Sequence, residues 1–171
     1  FEKLAAADPS NTEWQRDLSV SFNKVGDVLS AQGDLGQALK AYQNSHSIFE
    51  KLAAADPSNS SWQRDLSVSF EKMGDVLSAQ GDLGQALKAY QNSLAIREKL
   101  AAADPSNSSW QRDLVVSYYK LASFVEQSQS GDSDVYWQKC LAMLQNMRDK
   151  NMFLDPPIAN LLQQLQNRFG K

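Results

Sequence analysis

The stretch Trp62–Tyr90, WQRDLSVSFEKMGDVLSAQGDLGQALKAY, stands almost unchanged at Trp14–Tyr42 and begins again at Trp110 before it diverges. Residues 1–48 and 49–96 differ only at 12/60, 13/61, 23/71, 25/73, 46/94 and 47/95. Self-similarity at a fixed period is the signature of stacked repeats. Each unit then buries its apolar face against its neighbours, not around one central core.

Within a unit, helix signals come in pairs. DPSN at Asp8–Asn11, Asp56–Asn59 and Asp104–Asn107 ends one helix, because proline disfavours helix in the residue before it. Thr12-x-x-Gln15, Ser60-x-x-Gln63 and Ser108-x-x-Gln111 read as capping boxes that open the next. Trp14, Leu18, Phe22, Val25 and Leu29 recur at helical spacing and form one packing stripe; Trp62, Leu66, Phe70, Met73 and Leu77 repeat it. Gly26 and Gly74 lie inside these helices, where glycine costs about 1 kcal/mol against alanine, so close approach of a neighbour is expected there.

Gly33 and Gly81 suit a left-handed helix end, and Asp34-x-x-Gln37 and Asp82-x-x-Gln85 cap the second helix. Its face is Leu35, Ala38, Tyr42, Ser45, Phe49 and Leu52, repeated as Leu83, Ala86, Tyr90, Ser93, Arg97 and Leu100. The third unit keeps Trp110, Leu114, Tyr118, Leu121 and Val125, but Ala122 replaces the glycine and QSQSGDSD replaces the turn. Trp137 then takes the place of Tyr42 and Tyr90 with a one-residue slip, ahead of Cys140, Leu144 and Met147. Asp155-Pro156 opens a last helix, apolar at Ile158, Leu161, Leu162, Leu165 and Phe169 and rich in Gln and Asn opposite, as a terminal cap requires.

The expected organisation is a single repeat domain over 1–171. Residues 1–9 end a truncated preceding repeat, 10–57 and 58–105 are full repeats, 106–151 is a divergent third, and 155–170 is the capping helix. The expected fold is all-α, a right-handed superhelical solenoid of antiparallel helix pairs.

Composition narrows the function. A net charge of -3 gives no general attraction to nucleic acid or an anionic membrane, and no apolar run is long enough to span a bilayer. The single cysteine, Cys140, allows no intrachain disulfide, which agrees with a reducing, cytoplasmic setting. His46 is matched by Leu94, so it reads as a packed residue and not a catalytic one. Cys140 falls where Ser45 and Ser93 stand and reads as a small core residue, with a reactive thiol as the alternative. Nothing has metal-ligand spacing, the GDLGQ glycines lack a phosphate-loop lysine, and no catalytic constellation is visible. No cofactor and no enzyme activity are expected.

Phe22, Val25-Gly26, Leu29, Ala38 and Tyr42, with Phe70, Met73-Gly74, Leu77, Ala86 and Tyr90, resemble the tetratricopeptide repeat. Tyr118, Leu121-Ala122, Val125 and Trp137 match it loosely. The period is longer than the usual repeat, similar to kinesin light chain-type units and to arrays in bacterial signalling proteins. The resemblance implies a non-catalytic scaffold that binds a protein or peptide in a concave groove lined by the first helices. The implied groove positions are Val20, Asn23, Asp27 and Ser30, then Val68, Glu71, Asp75 and Ser78, then Val116, Tyr119, Ser123 and Glu126, with Lys24, Lys72 and Lys120 beside them.

Lys24–Asp27 and Lys72–Asp75 are spaced to pair along a helix. These charges read either as solvated inter-repeat ladders or as a mixed-charge groove. The candidate site is Asn23, Lys24, Asp27, Glu71, Lys72, Asp75, Tyr119, Lys120 and Ser123. Position 23/71/119 varies as Asn, Glu, Tyr while most of its neighbours hold constant. The lysine-and-asparagine carboxylate clamp of some family members is not reproduced, so no preference for acidic C-terminal tails is expected. A second reading is a self-associating or autoregulatory array behind an upstream effector domain, joined through an open end at Phe1.

Overall fold

The computed structural model describes residue 8 and residues 10–170, and among these it is all-α. Seven helices follow in order: α1 Thr12–Ala31, α2 Leu35–Ala55, α3 Ser60–Ala79, α4 Leu83–Ala103, α5 Ser108–Ser128, α6 Asp134–Asp149 and α7 Pro156–Phe169. They form antiparallel pairs with the helical-repeat architecture expected. The helix end expected at Phe1–Ala7 lies outside the described residues. Two compact units, Phe1–Ile96 and Arg97–Lys171, divide the chain within α4.

The helix starts fall one residue before the expected capping boxes. Asn11, Asn59 and Asn107 are the N-caps, and their side-chain oxygens accept from the backbone N–H of Trp14, Trp62 and Trp110 at 3.1, 3.1 and 3.2 Å. Asparagine is among the best N-cap residues and already stands at the exit of DPSN, so Thr12, Ser60 and Ser108 become the first helical residues. This frees the glutamines. Gln63 and Gln111 reach back through Nε2 to the carbonyls of Ala53 and Ala101, at 3.3 and 2.9 Å, and satisfy acceptors that the ends of α2 and α4 leave open. DPSN itself is held by its aspartate. Asp56 accepts from both the backbone N–H and the hydroxyl of Ser58, and Asp104 does the same from Ser106.

The helix–helix turns follow expectation. Gly33 and Gly81 both have φ +82°, and Asp34 and Asp82 accept from the N–H of Gln37 and Gln85. In the third unit the same turn position is Gln129, at φ 51°. A side chain in that conformation costs roughly 1–2 kcal/mol, so the third unit retains the turn at an energetic disadvantage.

In the first unit the packing line differs from the expected stripe. α1 fully buries only Ser19 and Gly26, and Val25 is 50% exposed. α3 buries Ser67, Ser69, Gly74 and Val76, while Phe70, Met73 and Leu77 are half-buried. The reason is close approach. A Cβ at Gly26 would lie 2.5 Å from Cε1 of Tyr42, and one at Gly74 would lie 2.9 Å from Cε1 of Tyr90. Each tyrosine lies on the glycine, so the helices meet along their small residues and the large ones flank that line. Ala38, Tyr42 and Val76 form the core here, with Leu29, Leu35, Leu39 and Met73 packed against it. The α2 face is as expected: Ala38, Tyr42, Ser45, Phe49 and Leu52 are buried, and only Leu35 is half-buried.

In the second compact unit, Arg97–Lys171, the stripe does close. Leu114, Tyr118, Leu121, Ala122 and Val125 of α5 are buried against Trp137, Cys140, Leu144 and Met147 of α6. Arg97 occupies the place of Phe49 and is 4% exposed. Its guanidinium donates to the Asp113 carbonyl at 3.1 Å and to Ser117 Oγ at 2.9 Å. α7 seals α6 with Ile158, Leu162 and Leu165. Asp155 is its N-cap, accepting from the N–H of Ile158, and it also accepts from Arg112 at 2.7 Å. Arg16 pairs with Asp65 of α3 in the same manner at 2.9 Å.

Candidate functional site

Within the first unit, two acidic candidates belong to the packing. Asp27 Oδ1 accepts from the Tyr42 hydroxyl at 2.7 Å and from Lys72 Nζ at 2.5 Å, with the ammonium 5.4 Å from the centre of the Tyr42 ring. Burial would push the Asp27 carboxyl up, but the Lys72 and Tyr42 bonds outweigh it and hold the group below its ordinary value. Burial, then the bond to Asp27, push the Tyr42 phenol up. Asp75 accepts from the Tyr90 hydroxyl at 2.8 Å. Burial raises that phenol too, with the Asp75 charge adding to it.

The Lys24–Asp27 pairing expected along α1 thus gives way. Tyr42 and Lys72 hold Asp27 instead, and Lys72 joins α3 to α1 across the repeat boundary. This is the inter-repeat ladder reading. With partners 29% and 50% exposed, the ion pair is worth at most about 1 kcal/mol. Lys24 is exposed, and Asn23 and Glu71 are half-buried. The Asn23 amide oxygen is sealed from solvent with no hydrogen-bond partner among the described residues.

The second compact unit differs at the equivalent position. Tyr119 is 44% exposed, its ring edge-on to Trp137 at 5.6 Å. Lys120 and Ser123 are half-buried beside it. Trp137 donates from Nε1 to Glu126 at 3.2 Å, so an acid of the first helix again accepts from the aromatic residue of the second, one turn further along. Arg168 of α7 joins the group, pairing with Glu126 at 2.9 Å and Asp134 at 2.7 Å.

Beside this network α5 and α7 leave a cavity of about 340 Å³, lined by Val115, Val116, Tyr119, Pro157, Ile158, Asn160, Leu161 and Gln164. Two of these, Val116 and Tyr119, were groove positions in the sequence. The wall from α7 was not anticipated. Its signal was the width of the apolar face, since Leu161 stands beside the three residues that pack on α6.

The remaining reactive groups are structural. Burial pushes the Cys140 thiol up to about 12, so it does not ionise at neutral pH. His46 is half-buried, with Nδ1 2.9 Å from Ser69 Oγ and its ring 4.4 Å from that of Phe70. Among the described residues no group of three or more His, Cys, Asp or Glu is placed to hold a metal ion. No described helix is long and apolar enough to cross a membrane.

The profile of the tetratricopeptide repeat matches residues 17–99. No curated protein matches the chain in sequence. Among solved structures, the crystal structure of MamA protein is similar at 13% identity and a TM-score of 0.29, covering 82% of this chain and 99% of that one. That likeness is too distant to carry an argument.

Proposed function

We propose that the chain, whose residues 17–99 match the tetratricopeptide repeat, is a member of that family and a non-catalytic module that binds a partner protein or peptide on the exposed faces of its first helices. Repeats of this family mediate protein–protein interaction and scaffolding. The observation that carries the reading is Tyr119. It is a large aromatic side chain, 44% exposed on a first helix, at the edge of an apolar cavity. Partly exposed aromatic residues beside a pocket are the usual anchors of protein interfaces.

The other candidates divide by what the fold asks of them. Asp27, Lys72 and Asp75 serve the packing first. Asn23, Lys24 and Glu71 remain as candidates of the first compact unit, and Lys120 and Ser123 flank Tyr119 in the second. Affinity capture with the wild-type chain, Tyr119→Ala and Lys24→Glu tests the reading, because both substitutions spare the buried bonds. The expected result is at least one partner lost with Tyr119→Ala. Every captured partner binding both variants as it binds wild type would remove the first-helix face from consideration.

A further inference from the structure

We propose that the cavity between α5 and α7 receives an uncharged, apolar segment of the partner. Its side chains would seat against Tyr119 and Leu161, and its backbone would bond to the amides of Asn160 and Gln164. This rests on the interaction reading above and names the occupant.

The argument is one of charge. Apart from the Tyr119 phenol, no side chain lining the cavity is ionisable. Of the charged groups on the flanking helices, Arg112 pairs with Asp155 at 2.7 Å and Arg168 with Glu126 and Asp134 at 2.9 and 2.7 Å, and neither these nor Lys120 and Asp113 line the cavity. A charged occupant would lose water and meet no counter-charge in the cavity wall, which disfavours it. An apolar one loses nothing by leaving water.

Size and geometry agree. At about 340 Å³ the cavity lies near the lower end of ligand-sized pockets, room for a few side chains and not a whole helix. Asn160 and Gln164 stand one turn apart on α7, both exposed, so their amides share one face. Each offers a donor and an acceptor, which is what a peptide group needs.

The test is selection of displayed random short peptides on the full chain, followed by synthesis of the enriched sequences with blocked ends. Peptides with two or more apolar side chains and no charge between them are expected. Tyr119→Ala should weaken their binding by about tenfold or more, the loss of an aromatic anchor. The Asn160→Ala/Gln164→Ala pair lies on an exposed surface and leaves the α7 core intact, so it should also weaken binding while circular dichroism stays unchanged. Raising salt from about 0.05 M to about 0.5 M should change affinity less than about twofold, since screening acts on charges.

Enrichment of charged peptides, or a steep salt dependence, would overturn the occupant while leaving the interaction reading in place. So would apolar peptides that bind both variants as they bind wild type. The competing occupant is a second copy, because Phe153 stands 80% exposed in the loop before α7. A mass that grows with concentration, reverts in Phe153→Ser and is suppressed by the peptide would assign the cavity to that copy and overturn the proposal. Absence of any enrichment overturns the peptide occupant, while the interaction reading stands or falls on the capture experiment.

Discussion

Replacing Gly26 by alanine tests the packing line on which the first unit is built. Alanine is favoured over glycine inside a helix by about 1 kcal/mol, so an exposed position would be stabilised. Here the new methyl would lie 2.5, 2.7 and 2.8 Å from three carbons of the Tyr42 ring. The ring has little freedom to yield, being 4% exposed with its hydroxyl bonded to Asp27 at 2.7 Å. Overpacking of that kind costs about 1–3 kcal/mol. The balance is a net loss of up to about 2 kcal/mol for Gly26→Ala. At Gly74 the same three distances are 2.9, 3.0 and 3.2 Å, so Gly74→Ala should cost less despite the near-identical sequence.

The third unit supplies a natural control. It carries Ala122, fully buried, in the place of the glycine, with the aromatic residue shifted by one to Trp137. Urea unfolding followed by circular dichroism gives the numbers, with the midpoint read at constant slope. In a Tyr42→Leu background the penalty of Gly26→Ala should largely vanish, a coupling that a double-mutant cycle isolates. If Gly26→Ala alone stabilises the chain by the full helix-propensity gain, the reasoning about close approach is wrong.

Two further expectations follow from titratable groups. Burial holds the His46 pKa below its ordinary 6.5, so the unfolded chain takes up the proton first. The stability associated with its neutral form is therefore complete above 6.5 and is lost as pH falls through the window down to the depressed folded value. His46→Leu, which copies Leu94 of the next unit, should flatten that part of the stability profile in urea titrations; an unchanged slope would contradict the burial argument. Asp155 caps α7 and accepts from Arg112, so Asp155→Ala should cost about 1 kcal/mol while Asp155→Asn, which keeps a capping oxygen, costs less, with amide exchange in α7 as the readout.

Much of this architecture is local and could be read along the chain. The turn at Gly33 and Gly81 needs a left-handed residue, and Asp34 and Asp82 bond the next helix three residues on. Such features depend on near neighbours alone. The N-caps were misplaced by one residue because Asn11 and Thr12 both suit that role, and the choice depends on where the DPSN turn releases the chain. Cys140 and His46 could be assigned to packing because the repeat supplies their counterparts.

The candidate site was less legible, since its character depends on what each side chain meets from another helix. Asp27 looks like a groove acid until Tyr42 and Lys72 are seen to occupy it. Arg97 looks like a surface charge until it proves to be buried and bonded to Asp113 and Ser117. Position 23/71/119 varies in letter, yet only the fold shows Asn23 partly sealed and Tyr119 open.

Periodicity and capping act within a few residues of backbone, so the repeat, the helix pairs and the turns could be read along the chain. Packing between helices settles which of the equivalent surface positions remain available. Glycine drew Tyr42 and Tyr90 onto the first helices, the tyrosines claimed Asp27 and Asp75, and α7 stood off from α5 far enough to leave Tyr119 beside an uncharged cavity. Those outcomes depend on distances between helices, which no single stretch of sequence contains.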